Sequence, residues 1–133
     1  MPAINFIAVV IAAVVGWFVG ALWYGALGRQ WMQASGRSEA EMQTRQMPMG
    51  PMVLALIANC VMALMLAGVV GHIGRPSVMS GIVSGALVWF GFVITTSAVN
   101  NAFQKRKALL TVIDGGHWLA VLVVMGIVIG FFG

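Results

Sequence analysis

The chain has 133 residues, of which 61% are hydrophobic and only 8% are charged. An ordinary soluble domain is about 25% charged, so a water-soluble fold of this composition would expose large apolar patches. The mean hydropathy of +1.00 is spread along the whole chain, which excludes a single anchor that carries a soluble domain. The net charge of +4 comes from basic residues in short loops, a distribution that fits membrane topology better than nucleic-acid binding.

The first apolar segment covers residues 4–27. No Lys or Arg precedes it and no clear small-residue cleavage site interrupts it, so we expect a retained membrane-spanning helix rather than a signal peptide. Trp23 and Tyr24, with Trp31 beyond the segment, are expected to form an aromatic belt at the level of the lipid headgroups. Trp17 lies deeper and is expected to pack between helices.

A polar stretch, residues 28–51, follows the first segment. Within it, Ser38 and Glu41 have the spacing of a capping box, in which the Ser accepts from a backbone amide and the Glu reaches back. We therefore expect a short amphipathic or capping helix at residues 39–46, with a flexible connector as the alternative.

Three further apolar segments cover residues 52–70, 78–99 and 108–132. A helix needs roughly 20 apolar residues to cross about 30 Å of hydrocarbon, and each segment approaches or exceeds this length. Continuous apolar runs lack the alternation of a barrel strand, so helices are expected. The sequence therefore predicts a single all-α integral membrane domain, a four-helix transmembrane bundle surrounded by the lipid bilayer.

The basic residues predict the orientation of the chain. The first loop has Arg29, Arg37 and Arg45, the third has Lys105, Arg106 and Lys107, and the second has only Arg75. The first and third loops lie on the same side of a four-span protein. The positive-inside rule therefore predicts that these two loops are cytoplasmic and that both termini are periplasmic.

Small residues four apart recur in the predicted spans and would let helix backbones approach closely. The glycines with this spacing are Gly16 and Gly20 in the first span, Gly81 and Gly85 in the third, and Gly126 and Gly130 in the fourth. They are predicted to form helix-packing contacts or an oligomer interface. Because four spans enclose little interior volume, some of these stripes could join copies into a homo-oligomer.

Asp114 and His117 are the ionisable residues that the sequence places within a span. They are three apart and so share one face of a helix. A charged group at membrane depth costs about 2.5 to 3.5 kcal/mol, which makes it a functional candidate. With Asn100 at the end of the third span, the pair is a candidate ligand or ion pathway. Alternatively, a later helix start would make Asp114 an N-terminal cap.

Other polar residues within the spans favour structural roles. Asn59, Thr95 and Thr96 are expected to hydrogen-bond between helices, and Cys60 is expected to be a packed small side chain. No Cys/His cluster, HExxH, phosphate-binding glycine loop, nucleophile elbow or haem-attachment motif is present. The sequence therefore predicts no catalytic residues, no metal site and no cofactor.

The residues Gly20-Ala-Leu-Trp23-Tyr24, followed by Gly28 and Trp31, resemble the signature of an uncharacterised bacterial membrane family, catalogued as domain of unknown function 1761. Similar later positions are Gly91-Phe92, Asn100, Phe103 and Gly116. The resemblance covers nearly the whole chain and implies four spans in a prokaryotic inner membrane, but no activity. Because that family often has Asn at the position of Asp114, it does not imply a proton-carrying role there.

Three functions are consistent with the sequence. The first is a non-enzymatic membrane protein that works as a homo-oligomer or as a subunit of a larger complex. The second is a small transporter or channel whose oligomeric pathway is lined by Asp114, His117 and Asn100. The third, an enzyme or cofactor-binding protein, has the least chemistry to support it. Transport requires a polar route that reaches membrane depth, whereas packing alone does not.

Overall fold

The computed structural model describes residues 4–36 and 49–133, and the regular structure of these residues is helical. Its helices are α1 (Phe6–Ser35), α2 (Met49–Ile73), α3 (Val78–Phe103) and α4 (Ala108–Phe132). Each of the four is long and apolar enough to cross a membrane, which confirms the prediction of four long apolar helices. The short helix predicted at residues 39–46 falls outside the described residues.

Helix α1 is longer than the apolar segment that predicted it. Its 30 residues continue past Gly28 and end at Ser35, because the residues that follow Gly28 include good helix formers such as Arg, Gln and Met. Gly36 ends the helix in the left-handed conformation at φ 78°, and its amide donates to the carbonyls of Met32 and Gln33. A glycine in this position is a common helix stop because it has no Cβ to strain the left-handed backbone.

The turn between α2 and α3 is short and closed by serines. Gly74 has a φ of 158°, and Ser77 then caps α3. The Ser77 hydroxyl accepts from the Ser80 amide at 3.0 Å, and the Ser80 hydroxyl accepts from the Ser77 amide at 2.9 Å. This reciprocal cap satisfies amides that the first turn of a helix leaves unpaired.

Helix α3 is α-helical at both ends and contains a π-helical turn, Trp89–Val93, in its middle. Just after this turn, the Thr95 hydroxyl donates to the Gly91 carbonyl at 3.0 Å and the Thr96 hydroxyl donates to the Phe92 carbonyl at 2.6 Å. The expectation that these two threonines bond to another helix is therefore wrong. A Thr hydroxyl reaches the carbonyl one turn earlier in its own helix, and both side chains are exposed.

Helix α4 is the central element of the bundle. It packs most extensively against α3 and α1, while α2 packs mainly against α1. The most apolar stretch of α4 is 44% buried, whereas that of α3 is only 17% buried. At one end of the bundle, Nδ2 of the Asn5 side chain donates to the Phe132 carbonyl at 3.1 Å. Because the start of α1 meets the end of α4, these two helices are antiparallel neighbours. The low burial of α3 means that this helix presents most of its surface outward.

Glycines bring α3 and α4 into backbone contact. A Cβ on Gly81 would overlap the Gly126 carbonyl, and a Cβ on Gly126 would overlap the Gly81 carbonyl. A Cβ on Gly85 would lie 2.5 Å from the Leu122 carbonyl oxygen. A Cβ on Gly130 would overlap the Ser77 carbonyl oxygen. The four glycines predicted to pack in the third and fourth spans thus all lie at the contact between α3 and α4 within one chain, and Gly81 and Gly126 face each other. This close approach explains why α4 can be buried so deeply.

Candidate functional site

A carboxylate and a phenol meet between α1 and α4. The Tyr24 hydroxyl donates to Asp114 Oδ1 at 2.5 Å, although 90 residues separate the two in the chain. Both side chains are half-buried. A carboxylate in an apolar setting needs such a donor, because an unpaired buried charge is strongly unfavourable.

His117 completes the group and is more deeply buried. Its side chain is 6% exposed, and its ring centroid lies 5.0 Å from that of Tyr24. On the α1 side it faces Gly20, where an added Cβ would lie 2.9 Å from His117 Nε2. Tyr24, Asp114 and His117 are called the Tyr24 cluster below.

Helical spacing on both sides brings the cluster together. Asp114 and His117 are three residues apart on α4, and Gly20 and Tyr24 are four apart on α1. Each pair therefore lies on one face of its helix. Gly20 gives the imidazole room at the helix surface while Tyr24 reaches the carboxylate one turn away.

The start of α4 determines the role of Asp114. The helix begins at Ala108, and the Lys107 side chain that precedes it forms no capping hydrogen bond. At 1.5 Å per residue, Asp114 lies roughly 9 Å and His117 roughly 14 Å along the helix axis. Asp114 is thus inside α4, and the alternative that it caps the helix is wrong.

Two indoles hold the backbone on either side of Asp114. Trp23 Nε1 donates to the Ile113 carbonyl at 3.0 Å, and Trp89 Nε1 donates to the Gly115 carbonyl at 2.7 Å. Trp89 comes from the π-helical turn of α3, a kind of irregularity that is frequent at functional sites. The segment that presents Asp114 is therefore positioned by α1 and α3 together.

The glycines after Asp114 allow this close packing. A Cβ on Gly116 would lie 2.8 Å from Trp23 Cζ2, and one on Gly115 would overlap Ile94 Cδ1. Trp23 and Tyr24 were expected in an aromatic belt at the headgroups. The structure places both against α4, where the indole and the phenol donate to α4 acceptors.

The sequence predicts that Asn100 lines a pathway with Asp114 and His117. The Asn100 side chain is exposed, whereas the neighbouring Asn101 donates from Nδ2 to Thr111 Oγ1 at 2.9 Å. Successive residues of a helix point about 100° apart, so only one of the two asparagines can face α4. Thr111 lies three residues before Asp114, which extends the polar face of α4 toward the third loop.

Asn59 of α2 is buried against Gly16 of α1. It is 2% exposed, and its Nδ2 donates to the Ala55 carbonyl of its own helix at 2.7 Å. A Cβ on Gly16 would lie 2.7 Å from Asn59 Oδ1. Among the described residues, Asn59 therefore bonds only within its own helix. The packing role expected for Cys60 is wrong because Cys60 is exposed. The adjacent Asn59 takes the inward face instead.

The chemistry available to the Tyr24 cluster is hydrogen bonding and proton exchange. A carboxylate accepts, a phenol donates or accepts, and an imidazole does either on each nitrogen. Within residues 4–36 and 49–133, no three His, Cys, Asp or Glu side chains lie close enough together to bind a metal ion. The sequence identified Asp114 and His117 by their local spacing. Tyr24 was part of a recognised signature, but its contact with Asp114 depends on how α1 packs on α4.

Comparison with known families identifies the family of this chain. The model of a family described as a protein of unknown function, DUF1761, matches residues 7–130, which confirms the resemblance seen in the sequence. No curated protein and no solved structure matches the chain. Gly20, Trp23 and Tyr24, which carry the resemblance, all contact α4 beside Asp114 and His117. The chain belongs to the DUF1761 family of proteins of unknown function.

Proposed function

We propose that the protein is a small, non-enzymatic membrane transporter in which the Tyr24 cluster carries protons. The observation that supports this proposal is that Tyr24 contacts both Asp114 and His117, which lie roughly 9 and 14 Å along α4. Ionisable side chains at membrane depth are rare and mark substrate paths and proton relays.

The geometry gives each member of the cluster a role. Asp114 is half-buried and follows Thr111 on the polar face of α4, so it would exchange protons with the side of the third loop. His117 lies deeper and would pass the proton inward. The titratable groups that the described helices bring to His117 are Asp114 and Tyr24. Trp23 and Trp89 would act as positioning residues through the Ile113 and Gly115 carbonyls.

We further propose that the chain lies in the bacterial inner membrane, with both termini in the periplasm. The excess of Lys and Arg in the first and third loops supports this orientation. The Tyr24 cluster would then lie in the cytoplasmic half of the bilayer, because it is near the end of α1 and the start of α4. Since four spans enclose little volume, the complete pathway would be formed by a homo-oligomer.

Proton flux tests this function. The purified protein is reconstituted into liposomes that contain a pH-sensitive dye, and a potassium diffusion potential is applied. The pH of the lumen should change faster in these liposomes than in liposomes without the protein. Asp114→Asn should abolish most of this flux, since Asn cannot release a proton at ordinary pH. The matched control is Asn100→Ala, which changes an exposed polar residue on α3 and should conduct like wild type. Wild-type flux equal to that of empty liposomes would refute the transporter.

A second candidate function is that of a non-enzymatic subunit, either in a homo-oligomer or in a larger complex. It is favoured by α3, whose most apolar stretch is only 17% buried and which exposes Leu87, Phe90 and Phe92 at 64%, 69% and 72%. An outward face this apolar fits either lipid or another helix.

Disulfide crosslinking in native membranes separates lipid from another helix. In a Cys60→Ser background, Leu87→Cys on α3 should give a crosslinked dimer, whereas Ile57→Cys on the exposed face of α2 should give much less. Equal and weak crosslinking at both positions would mean that α3 faces lipid. A product of unexpected mass at Leu87→Cys would instead indicate a different protein as the partner.

A further inference from the structure

Most of the tryptophans of the chain lie around one carboxylate. Asp114 is the only acidic residue in the part of the chain that the structure describes, and Tyr24, the single tyrosine, donates to it. Four of the five tryptophans contact either Tyr24 or residues 113–117 of α4, namely Trp23, Trp31, Trp89 and Trp118. These four tryptophans and Tyr24 are called the aromatic shell below.

One oxygen of the Asp114 carboxylate is open. Oδ1 accepts from Tyr24, and no other described residue donates to Asp114 or forms an ion pair with it. Oδ2 is also not among the polar atoms that are sealed from solvent without a partner. The neighbouring rings are half-buried rather than fully buried, namely those of Tyr24, Trp23, Trp89 and Trp118. Asp114 Oδ2 is therefore accessible to a small molecule.

The described helices bring no cation to this carboxylate. Helices α3 and α4 contain no Lys or Arg. Lys107, just before α4, is exposed and lies two helical turns from Asp114, a rise of roughly 10 Å. Arg29 of α1 is also exposed and points roughly 140° away from Tyr24 around the helix axis. Because a carboxylate at membrane depth is neutralised by a proton or by a cation, any cation at Asp114 must come from outside these helices.

The surroundings favour an organic cation over a metal ion. Hard metal cations take about six to eight oxygen ligands, whereas the described residues contain no group of three His, Cys, Asp or Glu side chains that could hold a metal. The faces of Trp and Tyr rings attract ammonium groups, including quaternary ones. Trp118 lies four residues after Asp114 and so on the same face of α4. Trp89 approaches the next residue, Gly115, from α3.

We propose that Asp114 and the aromatic shell bind a small organic cation, an amine or a quaternary ammonium. Its charge pairs with Asp114 Oδ2, and its carbon groups pack on the aromatic rings. The cation and a proton occupy the same carboxylate in turn, so a protonated Asp114 releases one proton when the cation binds. This inference names the substrate class of the Tyr24 cluster. The exchange rests on the proposed transport function, whereas the binding does not.

Equilibrium dialysis with radiolabelled phenyltrimethylammonium tests the binding directly. The full chain is placed in nanodiscs of phosphatidylcholine, and nanodiscs without protein measure partition into lipid. The protein should add a saturable component, which unlabelled phenyltrimethylammonium displaces and Na⁺ at the same concentration does not. The absence of a saturable component would overturn the proposal, and equal displacement by Na⁺ would overturn the preference for an organic cation.

Matched variants then assign the binding to the carboxylate and the shell. Asp114→Asn keeps the shape of the side chain but removes its charge, and should weaken binding by about tenfold or more. Trp118→Leu should weaken it by about threefold or more. Trp17→Leu is the control, because Trp17 lies outside the aromatic shell and donates to the Met52 carbonyl. Undiminished binding in a folded Asp114→Asn protein, or equal losses in the two tryptophan variants, would contradict the site.

Binding and proton flux are separate measurements, so the two proposals can fail independently. If phenyltrimethylammonium binds to the wild-type protein but the liposomes show no proton flux, the transporter is refuted and the cation site stands. If the liposomes show proton flux but phenyltrimethylammonium does not bind, the cation site is refuted and the proton pathway stands.

Discussion

At the scale of single residues, the Tyr24 hydroxyl has a defined energetic role as the donor to Asp114 Oδ1 at 2.5 Å. Tyr24→Phe keeps the ring beside His117 but leaves the half-buried carboxylate without this donor. We expect the free energy of unfolding to fall by about 1 to 3 kcal/mol, measured by denaturant titration in mild detergent. Thr95→Val is the control, because it removes an exposed hydroxyl that bonds to its own helix. Equal stability of Tyr24→Phe and wild type would show that the hydrogen bond contributes nothing.

The sequence located two of the three residues of the Tyr24 cluster, and the reason is geometric. Asp114 and His117 are three apart, so helical periodicity alone places them together. The partner of Asp114 is 90 residues away, and its identity depends on the rotation of α1 against α4. The same holds for Asn100 and Asn101, because the sequence does not determine how α3 is rotated about its axis against α4. One residue shifts the direction of a side chain by about 100°, so the choice between neighbours could not be made from composition.

At the scale of secondary-structure elements, the contact between α3 and α4 depends on glycine. Gly126→Ala places a Cβ where the Gly81 carbonyl lies, so the two helices must move apart. We expect a loss of about 1 to 3 kcal/mol in the free energy of unfolding, as for overpacked cores. A methyl on Gly68 of α2 meets no atom within 4 Å, and Gly68→Ala should be neutral or stabilise the helix by up to about 1 kcal/mol. Similar effects of the two substitutions would contradict the close helix contact.

The elements themselves were largely predictable, because long apolar runs determine helices in a membrane. The π-helical turn at Trp89–Val93 was not predictable, since no residue type encodes it. It begins at Trp89, whose indole donates to the Gly115 carbonyl of α4. The glycine stripes were recognised from their spacing. Which helices they join could be read only from the fold.

At the scale of the whole molecule, charge distribution predicts the orientation in the membrane. Because basic residues favour the cytoplasmic side, alkaline phosphatase fused after Gly133 should be exported and active. The structure brings Asn5 and Phe132 together at one end of the bundle, so a fusion before α1 should report the same side. A stably expressed but inactive C-terminal fusion would contradict the orientation, and a fusion within the third loop serves as the cytoplasmic control.

The packing of the whole chain also changes the expectation for self-association. Gly16 and Gly20 were candidates for an interface between copies, but both face side chains of the same chain, namely those of Asn59 and His117. Substitution of Gly20 by Leu would therefore disturb the Tyr24 cluster before it disturbed any dimer. A homo-oligomer would have to use surfaces such as the outward face of α3.

The most direct test of the Tyr24 cluster is the titration of His117 in the presence and absence of the Asp114 charge. In a His72→Gln background, ¹⁵N NMR of labelled protein in liposomes follows the protonation of His117 alone. If the two groups lie in one cluster, Asp114→Asn must move the titration midpoint, because a nearby carboxylate acts on the imidazolium charge. Asn100→Ala should leave the midpoint in place. An identical titration of His117 in the Asp114→Asn protein and its parent would show that the residues are not coupled, and the proposed site would be refuted.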